Sequence, residues 1–201
     1  MSPWWLVPLA YLAGSIPWGL LTVRVLKNVD VRDYGSRKTG MTNVLRTAGK
    51  GPAALVMAAD TGKGVLMVVA VRVMTDDAAV HAAVAGAVLA GHIWPVFAGF
   101  RGGRGIAPGM GAAAALDPWS ALAGMGLFVP VVFTTRYVSL GSIIGVLTVF
   151  VFFVTAAAVK IHPAAYLAYV APGTAVILWM HQDNMRRLLK GTERRVGKRA
   201  Q

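Results

Sequence analysis

Long apolar runs separated by short polar segments make up most of this 201-residue chain. A helix needs about 20 apolar residues to cross the ~30 Å hydrocarbon core of a bilayer. On this criterion the pattern predicts membrane-spanning helices at residues 4 to 23, 53 to 74, 79 to 99, 119 to 134, 140 to 159 and 164 to 181. Pro17 lies inside the first run, where its missing N–H is expected to kink the helix.

A further apolar run, residues 106 to 116, is rich in Gly and Ala and is short for a bilayer crossing. Charge bias favours its crossing nonetheless. If it crosses, seventeen of the twenty Lys and Arg residues lie on one side, as expected for the cytoplasmic side. The sequence thus predicts an all-α polytopic membrane protein with seven transmembrane helices, one of them short. We expect residues 1–201 to form a single domain, with the amino terminus outside and the carboxyl terminus in the cytoplasm.

The composition argues against several classes of protein. A hydrophobic content of 56% and a mean hydropathy of +0.60 exceed what one soluble domain of this size can bury. The absence of cysteine excludes disulfides, a thiolate nucleophile and cysteine metal sites. The net charge of +12 comes from basic residues clustered beside apolar runs, as in membrane proteins, so no nucleic-acid partner is expected.

A basic loop with glycine hinges, residues 35 to 46, is the strongest candidate for chemistry. Glycines let backbone N–H groups converge on an oxyanion, Ser36 and Thr42 add neutral donors, and Arg46 offers a planar fork to phosphate oxygens. The alternative is a solvated basic turn that merely obeys the positive-inside rule. The hydroxyl and Asn43 content argues against that alternative, so we expect a phosphate site here.

Three further polar segments fall on the same predicted face. Residues 101 to 105 place two arginines around a glycine pair, directly before the short run, whose helix N-terminus would point at the same anion. A plain turn remains the alternative for this segment. Residues 136 to 142 begin the next helix with two serines, and the last loop carries His181, Asn184, Arg186, Arg187 and Glu193.

These motifs, in this order and spacing, resemble the bacterial integral-membrane acyl-phosphate:glycerol-3-phosphate acyltransferase family. The resemblance covers most of the chain, and the matching segments are Gly14 to Pro17, Asp30 to Arg32, Gly35-Ser36, Gly40, Thr42 to Arg46, Asp60 with Lys63-Gly64, Gly91-His92, Pro95 to Phe97, Phe100, Gly102-Gly103, Gly105, Arg136 to Leu140, Ser142-Ile143, His181, Asn184 and Gly191 to Glu193. The family implies a seven-pass fold with a cytoplasmic active site. It also implies transfer of a fatty acyl group from acyl phosphate to a hydroxyl of glycerol 3-phosphate, giving lysophosphatidic acid and phosphate in phospholipid synthesis.

The resemblance also implies roles for individual residues. Catalytic roles carry over to Ser36, Arg46 and His181, and substrate binding carries over to Ser36, Lys38, Thr42, Asn43, Arg46, Gly102, Gly103, Arg104, Ser142, His181 and Asn184. No metal, coenzyme or obligate protein partner is implied, so the expected partners are the two substrates and the lipids of the inner (plasma) membrane. The hydroxyl proton can pass to the departing phosphate or to His181, and the sequence leaves both open.

Four positions depart from the pattern of the family. Lys38 stands where the family has asparagine, Met41 where it has alanine, Arg104 where it has lysine, and Pro108 where it has threonine. Lys38 replaces an amide that both donates and accepts with a cationic donor, and Pro108 removes a backbone donor. An altered or inactive relative, or a transporter of small anions or phospholipids, is therefore the alternative function.

Other polar residues have structural interpretations. Asp60 and Lys63 are expected to form a buried pair or a loop anchor, and His92 a structural hydrogen bond. No role is expected for His81 or His162 near the outer face. The tryptophans Trp4, Trp5 and Trp119 are expected to mark the membrane interface, and the tail from residue 186 to 199 to attract anionic headgroups.

Overall fold

The computed structural model describes residues 3–196, and within that range the regular structure is helical. The helices are α1 (Leu6–Gly14), α2 (Trp18–Lys27), α3 (Met41–Ala48), α4 (Lys50–Met74), α5 (Ala78–Ile93), α6 (Ile106–Leu116), α7 (Pro118–Thr135), α8 (Val138–Ala158), α9 (Leu167–Met180) and α10 (Gln182–Leu189). Short 3-10 turns occur at Pro3–Trp5, Val31–Asp33, Val96–Ala98 and Ala164–Tyr166. This confirms the all-α prediction for the described residues.

Several helices are long and apolar enough to cross a membrane. Five candidate spans occur in the described residues, at Pro3–Lys27, Lys50–Met74, Ala78–Ala98, Pro118–Thr135 and Val138–Ala158. A sixth is obtained if α9 and α10, bent by 53° at their junction, count as one. The outward faces of these helices carry exposed apolar side chains such as Val73 and Phe133. Such a surface is stable against lipid rather than water.

The short helix α6 has the bounds predicted from the sequence, Ile106–Leu116. Glycines let it lie against α4 at backbone distance, since Gly64 faces the Pro108 carbonyl and Gly111 faces the Thr61 carbonyl. At its end, Arg72 near the C-terminus of α4 donates to the carbonyl oxygens of Ala115 and Leu116. The beginning of α6 lies instead beside the C-terminal parts of α5 and α9, because Gly105 is packed against side chains of both.

The first apolar run is broken where Pro17 was expected to kink it. The helix α1 ends at Gly14 and α2 begins at Trp18, whose N–H donates to the Ile16 carbonyl at 3.1 Å. Gly14 and Gly91 bring α1 and α5 into backbone contact. The break turns α2 toward α3 and α4, where Val23, Val44 and Val56 form a small apolar cluster.

The opposite end of the bundle is held by histidines and aspartates. His81 contacts the Thr75 carbonyl at 2.7 Å, and His162 lies 3.5 Å from the Asp117 carboxylate. Asp117 also accepts from the N–H groups of Trp119 and Ser120 and so caps α7. His81 and His162 therefore take part in structural contacts at this end, although no role was expected for them.

Candidate functional site

A cavity of about 1060 Å³ lies between α3, α4, α6, α7, α8 and α9. One end is polar and is formed by the four polar segments predicted from the sequence. The predicted residues that line it are Ser36, Lys38, Thr42, Asn43, Arg46, Arg104, Ser142, His181 and Asn184. The structure thus brings together nine residues separated by up to about 150 positions in the chain.

The other part of the cavity is apolar and follows α6 into the bundle. Its walls come from Leu66 on α4, Met110 and Ala114 on α6, Leu122 and Met125 on α7, and Val146 and Val149 on α8. The 11 residues of α6 rise by about 16 Å at 1.5 Å per residue, and the residues flanking its two ends, Gly105 and Pro118, line the cavity. A channel of this length and lining suits a long aliphatic chain.

The backbone of the first loop is organised by Asn43. Its amide nitrogen donates to the carbonyl oxygens of Val31 at 2.8 Å, Tyr34 at 3.0 Å and Lys38 at 2.9 Å. Its amide oxygen accepts from the N–H of Ser36 at 3.0 Å. Asn43 is buried, and these bonds use its hydrogen-bonding groups within the protein. It therefore shapes the loop that presents Ser36 and Lys38.

The cations of the site repel one another. Burial, followed by the charge of Arg104, lowers the pKa of the Lys38 ammonium group. Burial, followed by the charge of Arg194, lowers the pKa of the Arg46 guanidinium, and burial followed by Arg187 lowers that of Arg104. Two carboxylates oppose these shifts: Glu193 acts to raise the pKa of Arg46 and Arg104, and Asp183 acts to raise that of Lys38 and Arg104. A bound phosphate would relieve the repulsion, so the arrangement favours an anionic ligand.

The second predicted loop, residues 101 to 105, contributes the Arg104 side chain to the cavity and not its backbone N–H groups. The N–H of Gly102 donates to the Ile93 carbonyl at 3.2 Å, and the N–H of Gly103 donates to the His92 carbonyl at 3.1 Å. These two glycines are absent from the cavity lining, and a Cβ on either would collide with His92. They place the next residue, Arg104, whose Nε donates to the Met180 carbonyl at 3.2 Å.

His181 and Asn184 present unused atoms beside the cavity. The Nδ1 atom of His181 lies 2.8 Å from the Ile177 carbonyl. Since a carbonyl oxygen only accepts, Nδ1 carries the proton and Nε2 is left as the acceptor of a neutral ring. Asn184 donates from Nδ2 to Glu193 at 2.7 Å, and its buried Oδ1 has no hydrogen-bond partner among the described residues.

Glu193 was not among the predicted site residues. Its carboxylate accepts from Ser139 at 2.9 Å and from Asn184 at 2.7 Å, and it pairs with Arg187 at 2.7 Å. It thereby joins α8 to α10. The segment after α10 folds back onto the site, where the N–H of Val196 donates to the Arg136 carbonyl at 2.9 Å.

This fold-back changes the interpretation of the tail. Residues 193 and 194 line the cavity instead of facing headgroups. The predicted contact of residues 197 to 199 with lipid lies outside the described residues.

A second, smaller cavity of about 260 Å³ adjoins the polar end. It shares Ser36, Lys38 and Arg104 with the first cavity and adds Arg37, Gln182 and Asp183. Because its lining is polar, it offers a water-soluble anion a route to the site.

The four positions that depart from the family pattern fit this structure. Lys38, Met41 and Arg104 line the cavity, so the departures change its chemistry directly. Pro108 lies in the first turn of α6, where a backbone N–H has no partner within the helix. The proline therefore costs the helix no hydrogen bond.

Metal chemistry has no evident ligand set here. Within residues 3–196, no group of three or more His, Asp or Glu side chains is placed to hold a metal ion.

A cationic pocket at the head of an apolar channel, in a bundle of membrane-spanning helices, defines an integral membrane protein whose cavity suits a phosphorylated amphiphile. A family model described as "Glycerol-3-phosphate acyltransferase" matches residues 4–191. The chain therefore belongs to the glycerol-3-phosphate acyltransferase family, which confirms the resemblance found in the sequence.

Individual relatives agree with this assignment. The glycerol-3-phosphate acyltransferase of Rubrobacter xylanophilus is 43% identical, with 97% of this chain and 96% of the relative covered. That of Synechococcus sp. (strain CC9902) is 41% identical, with 96% and 95% covered.

Two solved structures have the same fold. Both are of PlsY (YgiH), an integral membrane glycerol 3-phosphate acyltransferase. The glycerol 3-phosphate form gives a TM-score of 0.89 at 37% identity, and the lysphosphatidic acid form gives 0.86 at 36%. Each comparison covers 96% of this chain and 94% of the solved chain.

Proposed function

We propose that the protein transfers a fatty acyl group from acyl phosphate to a hydroxyl of glycerol 3-phosphate, giving lysophosphatidic acid and inorganic phosphate. The observation that carries this proposal is the single cavity in which five cationic side chains meet the head of an apolar channel. The substrates share this dual character, because one is a small phosphorylated polyol and the other an acyl chain ending in phosphate. The names of the relatives, and the two forms in which PlsY was solved, support the same reaction.

The polar end would hold the two phosphate groups. Arg46 and Arg104 offer forked guanidinium donors, and Lys38 adds a point charge. Ser36 and Thr42 supply hydroxyl donors from the first loop, while Asn43 holds the loop backbone in place. Gly102 and Gly103 act by placing Arg104.

The acyl chain would lie along α6, with its carbonyl at the polar end. The hydroxyl oxygen of glycerol 3-phosphate attacks the carbonyl carbon, the new ester C–O bond forms, and the bond between that carbon and the phosphate oxygen breaks. Phosphate is a good leaving group, so the protein has chiefly to align the reactants and to stabilise charge on oxygen. Ser142, which lines the cavity, and the Oδ1 of Asn184, which has no partner among the described residues, would hold the hydroxyls of the acceptor.

The hydroxyl proton would end on the departing phosphate. His181 can accept a hydrogen bond at Nε2 and so orient the attacking hydroxyl. Full transfer to that atom would create another cation beside Arg46, Arg104 and Arg187, in a pocket that is already electropositive. The leaving phosphate gains negative charge during the same step and is the better acceptor.

The site is proposed to face the cytoplasm from the bacterial inner membrane, in a single integral-membrane domain. The positive-inside bias of the sequence supports this orientation. The beginning of α6 packs against α5 and α9 at one end of the bundle, and its last residue contacts Arg72 at the other end. These contacts support counting α6 as a seventh crossing, which would leave the amino terminus outside.

A test is phosphate release by the purified protein in detergent, given acyl phosphate with and without glycerol 3-phosphate. We expect acceptor-dependent release and a lysophosphatidic acid product detected by mass spectrometry. The same assay with a panel of other phosphorylated polyols shows whether the departures from the family pattern at Lys38 and Arg104 have changed the specificity for the acceptor. Glycerol 3-phosphate binding without product would indicate an inactive relative, and solute flux in proteoliposomes without product would indicate a transporter.

A further inference from the structure

Three side chains from α4 and α5 form a buried charged cluster next to the cavity. The Lys63 ammonium lies 2.9 Å from the Asp60 carboxylate, and His92 Nδ1 lies 3.4 Å from the same carboxylate oxygen. Each of the three side chains is at most 6% exposed. Asp60 and His92 also line the cavity.

Lys63 connects the cluster to the break in the first helix. Its Nζ donates to the Gly14 carbonyl at 2.8 Å and to the Ile16 carbonyl at 3.2 Å. The break leaves the Gly14 carbonyl without its usual helical partner, because the N–H of Trp18 bonds to Ile16 instead. The α2 helix that follows is packed against the first loop, residues 35 to 46. A Cβ on Gly19 would collide with the Thr39 carbonyl, so the two backbones are in contact there.

His92 connects the cluster to the second loop. Its carbonyl accepts from the N–H of Gly103, and its ring fills the space where a Cβ of Gly103 would lie. The Asp60 carboxylate, 3.4 Å from Nδ1, restrains the orientation of this ring by an electrostatic contact. Gly103 immediately precedes Arg104, so the ring orientation sets where that guanidinium enters the cavity.

Energetics argue that this cluster serves more than packing. A buried ion pair commonly stabilises a protein no better than apolar residues of the same volume would. An apolar pair at positions 60 and 63 would, however, leave the Gly14 carbonyl unsatisfied and the His92 ring free to turn. The charged groups are what tie both phosphate-binding loops to one point of the bundle.

We propose that Asp60, Lys63 and His92 form a positioning network that holds the first loop and Arg104 in one mutual arrangement, and thereby sets the affinity of the site for the phosphate of its acceptor. The proposal rests on the function proposed above. The network acts on binding through Thr39 and Arg104. The donor is affected less, because much of its binding comes from burial of the acyl chain.

The test uses the full chain in detergent and compares kinetic constants for both substrates. We expect Lys63→Met and His92→Leu each to raise KM for glycerol 3-phosphate by about tenfold, because small misplacements of binding groups are costly. KM for acyl phosphate should change less than about threefold on the same reasoning. His92→Asn keeps an N–H donor near the Nδ1 position and has the shape of leucine, so it should retain most of the wild-type affinity.

A matched control comes from the other end of α4. Arg72 is also a cation that donates to two backbone carbonyls at a helix end, but it contacts the end of α6. Arg72→Met should lower the melting temperature and leave both KM values unchanged. Thermal stabilisation by glycerol 3-phosphate alone gives a second readout, which should weaken in Lys63→Met and His92→Leu only.

The outcomes separate this proposal from the proposed function. Inactive wild-type protein would overturn both. Active wild-type protein with unchanged KM in folded Lys63→Met, or equal KM in His92→Leu and His92→Asn, would overturn the network alone. If Lys63→Met is not recovered folded, the comparison of KM between His92→Leu and His92→Asn tests the network.

Discussion

The exchange of Asn43 for aspartate is a sharp test of how the first loop is built. The two side chains have the same shape, but Asn43→Asp replaces the amide that donates to three backbone carbonyls with an oxygen that repels them. The bond from the Ser36 N–H to Oδ1 would remain. The change therefore removes donors without creating a void.

The magnitude follows from those contacts. The amide carries only two N–H protons, so its three carbonyl contacts amount to two full hydrogen bonds. A typical internal hydrogen bond contributes ~1 kcal/mol net, so the native loop should lose about 2 kcal/mol relative to disordered conformations. At 1.36 kcal/mol per tenfold, the ordered population and kcat/KM should each fall by about 30-fold. The transmembrane helices do not depend on these bonds, so the melting temperature should change little.

The assay is the rate of phosphate release at varied glycerol 3-phosphate, with circular dichroism and thermal melting to check the fold. Thr47→Val is the matched control, since Thr47 lies one turn further along α3 and bonds only to the Asn43 carbonyl. It should change kcat/KM by less than about twofold, as expected for a single local bond. An Asn43→Asp protein with kcat/KM close to that of the wild type would refute this account of the loop.

Four further predictions concern the cavity. Lys38, proposed above to bind phosphate, can do so only when protonated. Because its pKa is lowered, acceptor affinity should begin to fall at an alkaline pH below the usual lysine range. In Lys38→Arg, calorimetric titration with glycerol 3-phosphate should show no such fall. Arg46→Lys should lose most kcat/KM despite keeping the charge, because a forked bidentate donor is lost, and phosphate release measures this loss. Ala114→Phe should narrow the apolar channel, so turnover of long-chain acyl phosphates should fall while that of short-chain ones persists in a competition assay. Glu193→Ala leaves three partners unsatisfied and should lower the melting temperature by several degrees, whereas Glu193→Gln should retain much of the stability.

The sequence predicts the helices well because their signals are strong and local. Hydropathy places α6 at residues 106 to 116, and Pro17 marks the break of the first helix. The gathering of the loops follows from charge bias and motif order. Hydropathy and charge bias are averages over many residues, so they can be read from a single sequence.

The roles of individual polar residues were harder to predict, because they depend on contacts between distant segments. Asn43 turns inward to hold the backbone, and the amides of Gly102 and Gly103 are used by the end of α5. The burial of Glu193 results from a fold-back of a basic segment that was expected to attract anionic headgroups. The pairing of Asp60 with Lys63 is local in α4, but His92 joins them only through the packing of α4 against α5.

The central claim is direct attack of the acceptor hydroxyl on the acyl carbon within this cavity. The most direct measurement follows an oxygen isotope placed in the hydroxyl groups of glycerol 3-phosphate, with mass spectrometry of both products. The account predicts that the label remains in the lysophosphatidic acid and that the released phosphate carries none. Label in the released phosphate, or phosphate release with no lysophosphatidic acid formed, would contradict it.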